Sequence, residues 1–197
     1  AVGTAANRVQ FAAGQGNVAV TVTGAGAAAY LDGVNVVSLG AITTSNGVVD
    51  GTTQVGGMTR GALESTGGGA ASFNTAGVGV NPINLNANVA TGGGAMSFAD
   101  PVVVGINSTL TSVGGISFAG TVDGLGAGAQ SLDVTGGVVT IAGPVGAATA
   151  LSALTVSGTT VSVGSIGGGA AGVTGATSVT ATVGMMLSGT TYRANAQ

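Results

Sequence analysis

The chain has 197 residues, of which 40 are glycine and only 5% are charged, whereas about 25% of residues are charged in typical soluble domains. Its net charge of −3 rests on six acids and three arginines, and lysine, histidine, cysteine and tryptophan are absent. These counts exclude catalysis by histidine, cysteine or lysine, a disulfide framework, and a basic patch that neutralises the phosphates of nucleic acid.

The length suits one domain, which we predict over residues 1–197. Apolar residues make up 45% of the chain, which argues against disorder, and no run of 18 or more apolar residues predicts insertion into a membrane. The first residues, Ala1 to Arg8, lack the charged-then-apolar layout of a signal peptide. We therefore expect the mature end of a processed, secreted protein.

Taken in chain order, the first predicted strand is Asn17 to Thr23, where valines alternate with other residues. The next residues, 24–29, match a GxGxxA dinucleotide fingerprint. No amphipathic helix follows, and Asp32-Gly33 breaks the pattern within a few residues. The match is interpreted as a glycine-rich loop, and no cofactor is predicted.

A second strand is predicted over residues 33–42, and its end, Val37 to Ile42, resembles Val161 to Ile166. The pattern is less regular at residues 43–66, which predicts an insertion or a cap-like segment. Within it, Asn46-Gly47 and Asp50-Gly51 are typical of tight turns, and residues 58–65 suggest a turn of helix.

From residue 67 a regular sequence repeat begins. One motif, glycines followed by an apolar-Ser-Phe triplet, ends at Phe73, Phe98 and Phe118, and related motifs end at Ile141, Val163 and Leu187. The steps between these ends are 25, 20, 23, 22 and 24 residues. A period of this size predicts a solenoid.

Within this repeat region, residues 109–166 contain three copies of one pattern, and 22 residues separate Leu110 from Leu132 and Leu132 from Leu154. Each copy predicts two short strands joined by a tight bend. Alternation also predicts strands at Ile83 to Val89, whose asparagines face outward or stack with asparagines of neighbouring coils, and at Ser178 to Val183.

Together these patterns predict an all-β fold, a right-handed parallel β-solenoid of about eight or nine coils with about 22–23 residues per coil. The alternative is a pilin-like β-sandwich whose subunits exchange a terminal strand. That fold accounts for the Asn-Gly and Asp-Gly turns but gives no reason for a 22-residue repeat.

The phrases at residues 114–122 and 138–145 resemble the repeats of filamentous-haemagglutinin-like and autotransporter passenger proteins, which are β-helical. The resemblance covers about Gly67 to Val183, with an outlying match at 34–42. It implies a β-helix and a bacterial setting, either at the cell surface or secreted. The chain departs from that family in its shorter length and in lacking a recognisable secretion domain or membrane-barrel anchor, which we interpret either as a fragment or as a small subunit that uses the same coil.

No site residues are predicted: no catalytic, cofactor-binding or metal-binding position emerges. Two acids, Asp100 and Asp123, lie 23 residues apart, a spacing that allows them to stack on neighbouring coils, but a stacked pair of surface acids does not by itself indicate a site. The remaining acids are interpreted as turn or surface residues: Asp32, Asp50, Glu64 and Asp133.

The chain is therefore predicted not to be an enzyme. The leading hypothesis is an extracellular structural protein that assembles with itself into a bacterial surface filament, fibre or sheath, because open strand edges and a nearly uncharged surface favour self-association. The alternatives are a rod segment of a secreted adhesin that binds cell-surface components through residues 43–66, and an ice-binding solenoid. Ice binding needs Thr-x-Thr pairs on every coil, and the sequence shows them clearly only at Thr21/Thr23 and Thr180/Thr182.

Overall fold

The computed structural model describes residues 82–86, 88–91, 93–169 and 172–196, and the backbone of the strands between residues 9 and 75. The described residues form nineteen strands, and no helix occurs among them. The strands before residue 82 are β1 Val9–Phe11, β2 Val18–Val22, β3 Ala29–Val34, β4 Val37–Ser45, β5 Val49–Val55, β6 Met58–Arg60, β7 Leu63–Thr66 and β8 Ala71–Thr75. The later ones are β9 Ile83–Leu85, β10 Val89–Thr91, β11 Met96–Phe98, β12 Val102–Val104, β13 Ser108–Ser112, β14 Ile116–Phe118, β15 Val122–Gly124, β16 Ser131–Ile141, β17 Ala153–Val163, β18 Val173–Leu187 and β19 Ala194–Ala196.

The strands stack in three faces, and every described pairing between them is parallel. Face 1 contains β10, β13 and the first halves of β16 and β17. Face 2 contains β11, β14 and the second halves of β16 and β17. Face 3 contains β9, β12 and β15 and continues through single bridges at Val145, Ile166 and Tyr192. The chain visits the faces in this order in each coil, so the predicted parallel β-solenoid is confirmed.

The described residues complete about five coils. On face 3 the chain returns to the same position from Ile83 through Val102, Val122, Val145 and Ile166 to Tyr192. The larger count of eight or nine coils and the right-handed winding stay predictions, because most corners between the N-terminal strands lie outside the described residues.

The β-sandwich alternative is wrong. A sandwich built from hairpins needs antiparallel neighbours, and the described pairings are parallel. The Asp50-Gly51 pair lies inside β5 and does not form a hairpin turn. The other turn signal, Asn46-Gly47, and residues 24–28 of the glycine-rich loop lie outside the described residues.

The interior is a continuous column of aliphatic and phenylalanine side chains. In the strands of faces 1 and 2 alternate residues are buried, as expected when one side of a strand faces a core. In β16 the buried positions change phase at Gly136-Gly137, from Leu132 and Val134 to Val139 and Ile141. The phase change is the predicted bend between two short strands, and it lies inside a continuous strand pairing.

The predicted register of face 2 is confirmed. Phe98 pairs with Phe73 on one side and with Phe118 on the other. The same position then passes through Ile141 and Val163 to Leu187. The rings of Phe98 and Phe118 stack with their centroids 4.7 Å apart and their planes 5° from parallel.

The predicted equivalence of Leu110, Leu132 and Leu154 is wrong in its first member. Leu132 pairs with Leu154, but Leu110 pairs with Val134. The shift of two residues keeps leucine on the buried side, because strand side chains alternate with a period of two. Spacing of apolar residues therefore cannot distinguish the two registers.

Two further expectations are corrected. The described residues of 58–65 lie in strands β6 and β7 and not in a turn of helix, and Ile83 to Val89 splits into β9 on face 3 and β10 on face 1. Of the two alternatives for the asparagines of that segment, the outward-facing one is confirmed for Asn86 and Asn88, which are exposed. Stacking on other asparagines is not observed, since Asn84 pairs with Val103 and Asn88 Oδ1 accepts a hydrogen bond from Thr109 N at 2.9 Å.

The similar phrases at 37–42 and 161–166 begin on different faces. Val37 pairs with Met58 in the stack of face 3, whereas Val161 pairs with Val139 on face 2. Residues 43–66 contribute strands to all three stacks. The proposed insertion or cap in this segment stays a prediction, because its corners lie outside the described residues.

Candidate functional site

Among the described residues no three acidic side chains come together at one place. Asp123 pairs with Val103, so the stacking of Asp100 on Asp123 that their spacing allows is not observed. The carboxylate of Asp123 accepts hydrogen bonds from the backbone of the next coil, from Ala148 N at 2.9 Å and from Thr149 N at 3.1 Å. Its role is therefore to hold a corner loop. The side chain of Asp133 points to solvent from face 1.

Metal binding finds no support in the described part of the chain, where no three acids come close enough together to hold an ion. The acids Asp32, Asp50 and Glu64 lie on β3, β5 and β7, whose side chains are outside the described set. Among the described residues no helix has the length and apolar character needed to cross a membrane.

The outer surface of face 1 carries two rows of small polar side chains. The first row runs through Thr109, Asp133, Thr155 and Ser178, and the second through Thr111, Thr135, Ser157 and Thr180. Strand geometry places neighbours about 4.8 Å apart along a row, and the two rows about 6.6 Å apart. Seven of the eight positions carry a hydroxyl group, which gives a regular lattice of hydroxyls over four coils.

The expectation that the intervening coils do not repeat Thr-x-Thr holds for three of these four coils, since only Thr109 and Thr111 form such a pair; the lattice appears when serine is counted as well. Serine substitutes for threonine at two of the positions, and the pair on β18 is Ser178 and Thr180, not Thr180 and Thr182. The signal was present in the sequence as polar residues alternating with buried ones, but the register was needed to align it.

The second feature is the C-terminal edge, which we define as residues 177–187 of β18. In the part of the chain that the structure describes, these residues pair with β17 on one side and with no strand on the other. A parallel edge of this length leaves a row of backbone N–H and C=O groups open for a further strand.

The side of this edge that faces the core is also uncovered. Met185 and Leu187 continue the columns of Val161 and Val163, which are 0% exposed, yet they are themselves 48% and 52% exposed. Full burial of such side chains stabilises by about 1.5–3 kcal/mol each, so covering the exposed half contributes roughly 1 kcal/mol per residue.

A groove of about 350 Å³ opens along the C-terminal edge, between β18 and Tyr192. Its lining is mostly apolar and includes Ile166, Val179 and Leu187. The hydroxyl oxygen of Thr177, which also lines the groove, is buried and has no hydrogen-bond partner. An uncovered apolar row beside an unpaired strand edge and an unsatisfied hydroxyl is the arrangement of a solenoid coil that lacks its next neighbour.

Apolar side chains are exposed on the flanks of the solenoid as well. Val113 and Val138 lie at the corner between faces 1 and 2 and are 73% and 52% exposed. Leu125 is exposed in the loop that leads from face 3 to face 1. These residues provide an uncharged flank but no enclosed pocket.

Comparisons with family models, with curated proteins and with solved structures find no match to this chain. We therefore infer function from the surfaces described above. Sequence reasoning anticipated an open strand edge in general terms. It did not locate the edge at residues 177–187, because β17 and β18 have similar patterns and only the pairing shows which of them is covered.

Proposed function

We propose that this chain is a non-enzymatic, extracellular structural protein that assembles with itself into a filament, fibre or sheath at a bacterial surface. The observation that carries the proposal is the C-terminal edge, where core-facing residues of β18 are half exposed beside an unpaired parallel strand. A solenoid end whose last strand is uncovered favours addition of further strands.

The composition supports the same proposal. Nine charged residues in 197 give little electrostatic repulsion between copies, and the exposed valines of the flanks favour contact over solvation. The resemblance of the repeats to filamentous-haemagglutinin-like and autotransporter passenger proteins supports the bacterial, secreted setting. We propose further that the coils continue through the N-terminal strands to a total of eight or nine, wound to the right.

The test is assembly of the purified chain over a range of concentrations, followed by sedimentation velocity and negative-stain electron microscopy. We expect the sedimentation coefficient to rise with concentration and elongated particles longer than one molecule to appear. A monodisperse monomer at high concentration contradicts the proposal and favours the adhesin-rod alternative, in which a monomer binds cell-surface components.

A second candidate function, binding to ice, is favoured by the hydroxyl lattice on face 1. Two in-register rows of small hydroxyl side chains present a flat, periodic surface for ordered water. Thermal hysteresis measures this directly. We expect hysteresis in the wild-type chain and its loss in Thr135→Tyr, whose ring projects from the lattice; a wild-type chain without hysteresis excludes this candidate.

A further inference from the structure

We propose that Met185 is an oxidation site, and that conversion of its thioether to the sulfoxide by hydrogen peroxide blocks assembly at the C-terminal edge. This inference rests on the proposed function, since it names a chemical modification that controls the same edge.

The four methionines of the chain differ in their access to an oxidant. Met96 is 1% exposed in the core, whereas Met185 and Met186 are 48% and 60% exposed on β18. The side chain of Met58 lies outside the described residues. Because the sulfur must meet the oxidant to react, we expect Met185 and Met186 to be oxidised before Met96.

The two exposed methionines lie on opposite sides of β18. Met185 pairs with Val161, which is 0% exposed, and so continues a core column. It also lines the apolar groove beside Tyr192. Met186 pairs with Ser162 and points outward. A strand added to the C-terminal edge therefore covers Met185 and leaves Met186 on the outer surface.

The oxidation transfers one oxygen atom from the peroxide to the sulfur. A lone pair of the Met185 sulfur attacks one peroxide oxygen, so that an S–O bond forms while the O–O bond breaks. The sulfur loses two electrons, and the second oxygen leaves as water after proton transfer. The product is a polar sulfoxide, which sulfoxide reductases convert back to the thioether with a thiol as the reductant.

The sulfoxide has different consequences for folding and for assembly, because Met185 is half exposed in the single molecule. There the added oxygen meets water, so we expect the fold to remain. In an assembled edge the same oxygen loses its water within a mostly apolar groove. Burial of a polar group without its hydrogen bonds is unfavourable, and we expect association to weaken at least about tenfold.

Peroxide treatment of the purified chain tests the site. Mass spectrometry with fragmentation between residues 185 and 186 locates the added oxygen, and sedimentation velocity measures assembly over a range of concentrations. We expect wild type to lose assembly as the Met185 sulfoxide accumulates, and to regain it with both sulfoxide reductases and dithiothreitol. Met185→Leu has a side chain of similar volume without sulfur, so it should assemble with or without peroxide. The matched control, Met186→Leu, should lose assembly on oxidation as wild type does.

Two further variants test the position without an oxidant. Met185→Gln places a polar side chain of similar length in the core column, and we expect association to weaken at least about tenfold. Met186→Gln places the same group on the outer surface and should assemble as wild type does. The urea midpoint of each variant, measured on the monomer at low concentration, should stay close to that of wild type, since both positions are exposed.

The outcomes separate this inference from the proposed function. Loss of assembly in oxidised wild type and in Met185→Gln, with assembly retained in Met185→Leu, supports both. Assembly that survives oxidation of Met185, that is lost equally in oxidised Met185→Leu, or that is lost only once Met96 reacts overturns the oxidation site and leaves the proposed function standing. Failure of untreated wild type to assemble at any concentration overturns both.

Discussion

Buried hydroxyl groups close the corner between face 1 and face 2 in two successive coils. Ser112 donates to the carbonyl oxygen of Gly94 at 2.8 Å and accepts from Gly115 N at 3.1 Å, and Thr91 Oγ1 donates to the same carbonyl at 2.6 Å. Ser112 and Thr91 are 1% and 3% exposed. In the next two coils Gly136 and Gly158 occupy this register position. At this register position a hydroxyl side chain therefore occurs where a corner separates two strands, and glycine occurs where one strand continues through the bend.

Replacing Ser112 tests this role at the scale of one residue. Ser112→Ala removes the partner of Gly115 N, and an unsatisfied buried group costs about 1–3 kcal/mol. We expect that loss in the free energy of unfolding measured with urea. The control, Thr111→Ala, changes an exposed hydroxyl on the same strand and should stay within about 0.5 kcal/mol of wild type. Equal effects in the two variants would contradict the corner role.

Individual residues also show how far sequence reasoning reached. The face 2 column was predictable from Phe98, Phe118 and Ile141, because a large apolar residue closes each repeat of the phrase. The roles of Ser112 and Asp123 were not predictable, since a polar residue in an alternating pattern reads as a surface residue. The acceptor of the Ser112 hydroxyl and the two donors to Asp123 lie in another coil, 18 to 26 residues away.

At the scale of elements, corner loops are held by contacts from the preceding coil. The loop after Val145 donates two backbone hydrogen bonds to the carboxylate of Asp123 on β15. Gly146 in that loop has a φ of 65°, in the left-handed region that glycine adopts without strain. Asp123 thus couples one coil's strand to the next coil's loop.

We expect Asp123→Ala to increase the hydrogen-exchange rates of the Ala148 and Thr149 amides, because both lose their acceptor. The amides in the centre of β16 should keep their protection, since their ladder partners are unchanged. Asp123→Asn retains the accepting Oδ1 atom and should exchange at rates close to those of wild type. Unchanged exchange at Ala148 and Thr149 in Asp123→Ala would show that the carboxylate does not hold the loop.

The boundaries of strands were predictable where a glycine pair marks them. Where no glycine pair occurs, the alternation of apolar and polar residues was misleading. The bends at Gly114-Gly115 and Gly136-Gly137 were found in the sequence. The corner between β9 and β10 was missed because alternation from Ile83 to Val89 continues across it. The two-residue slip of Leu110 was invisible for a related reason: both registers bury the leucine.

At the scale of the whole molecule, the solenoid is a stack in which each described strand pairing joins one coil to its neighbour. Such a stack has no intrinsic length, so its ends determine whether it stops or continues. At the C-terminal edge Leu187 is half exposed and the strand is unpaired on one side among the described residues, so a further strand can be added there. The fold class was predictable from the repeat period alone, whereas the exposure of this edge required the pairing of β17 with β18.

X-ray diffraction from oriented fibres of the purified chain tests the central claim most directly. Coils that stack along the filament put their strands across its axis, so we predict a reflection at about 4.8 Å along the fibre axis. That spacing should persist across molecular junctions as a sharp reflection. A 4.8 Å reflection perpendicular to the axis would contradict end-to-end stacking, and a chain that remains a monomer and forms no fibres would contradict the proposed function itself.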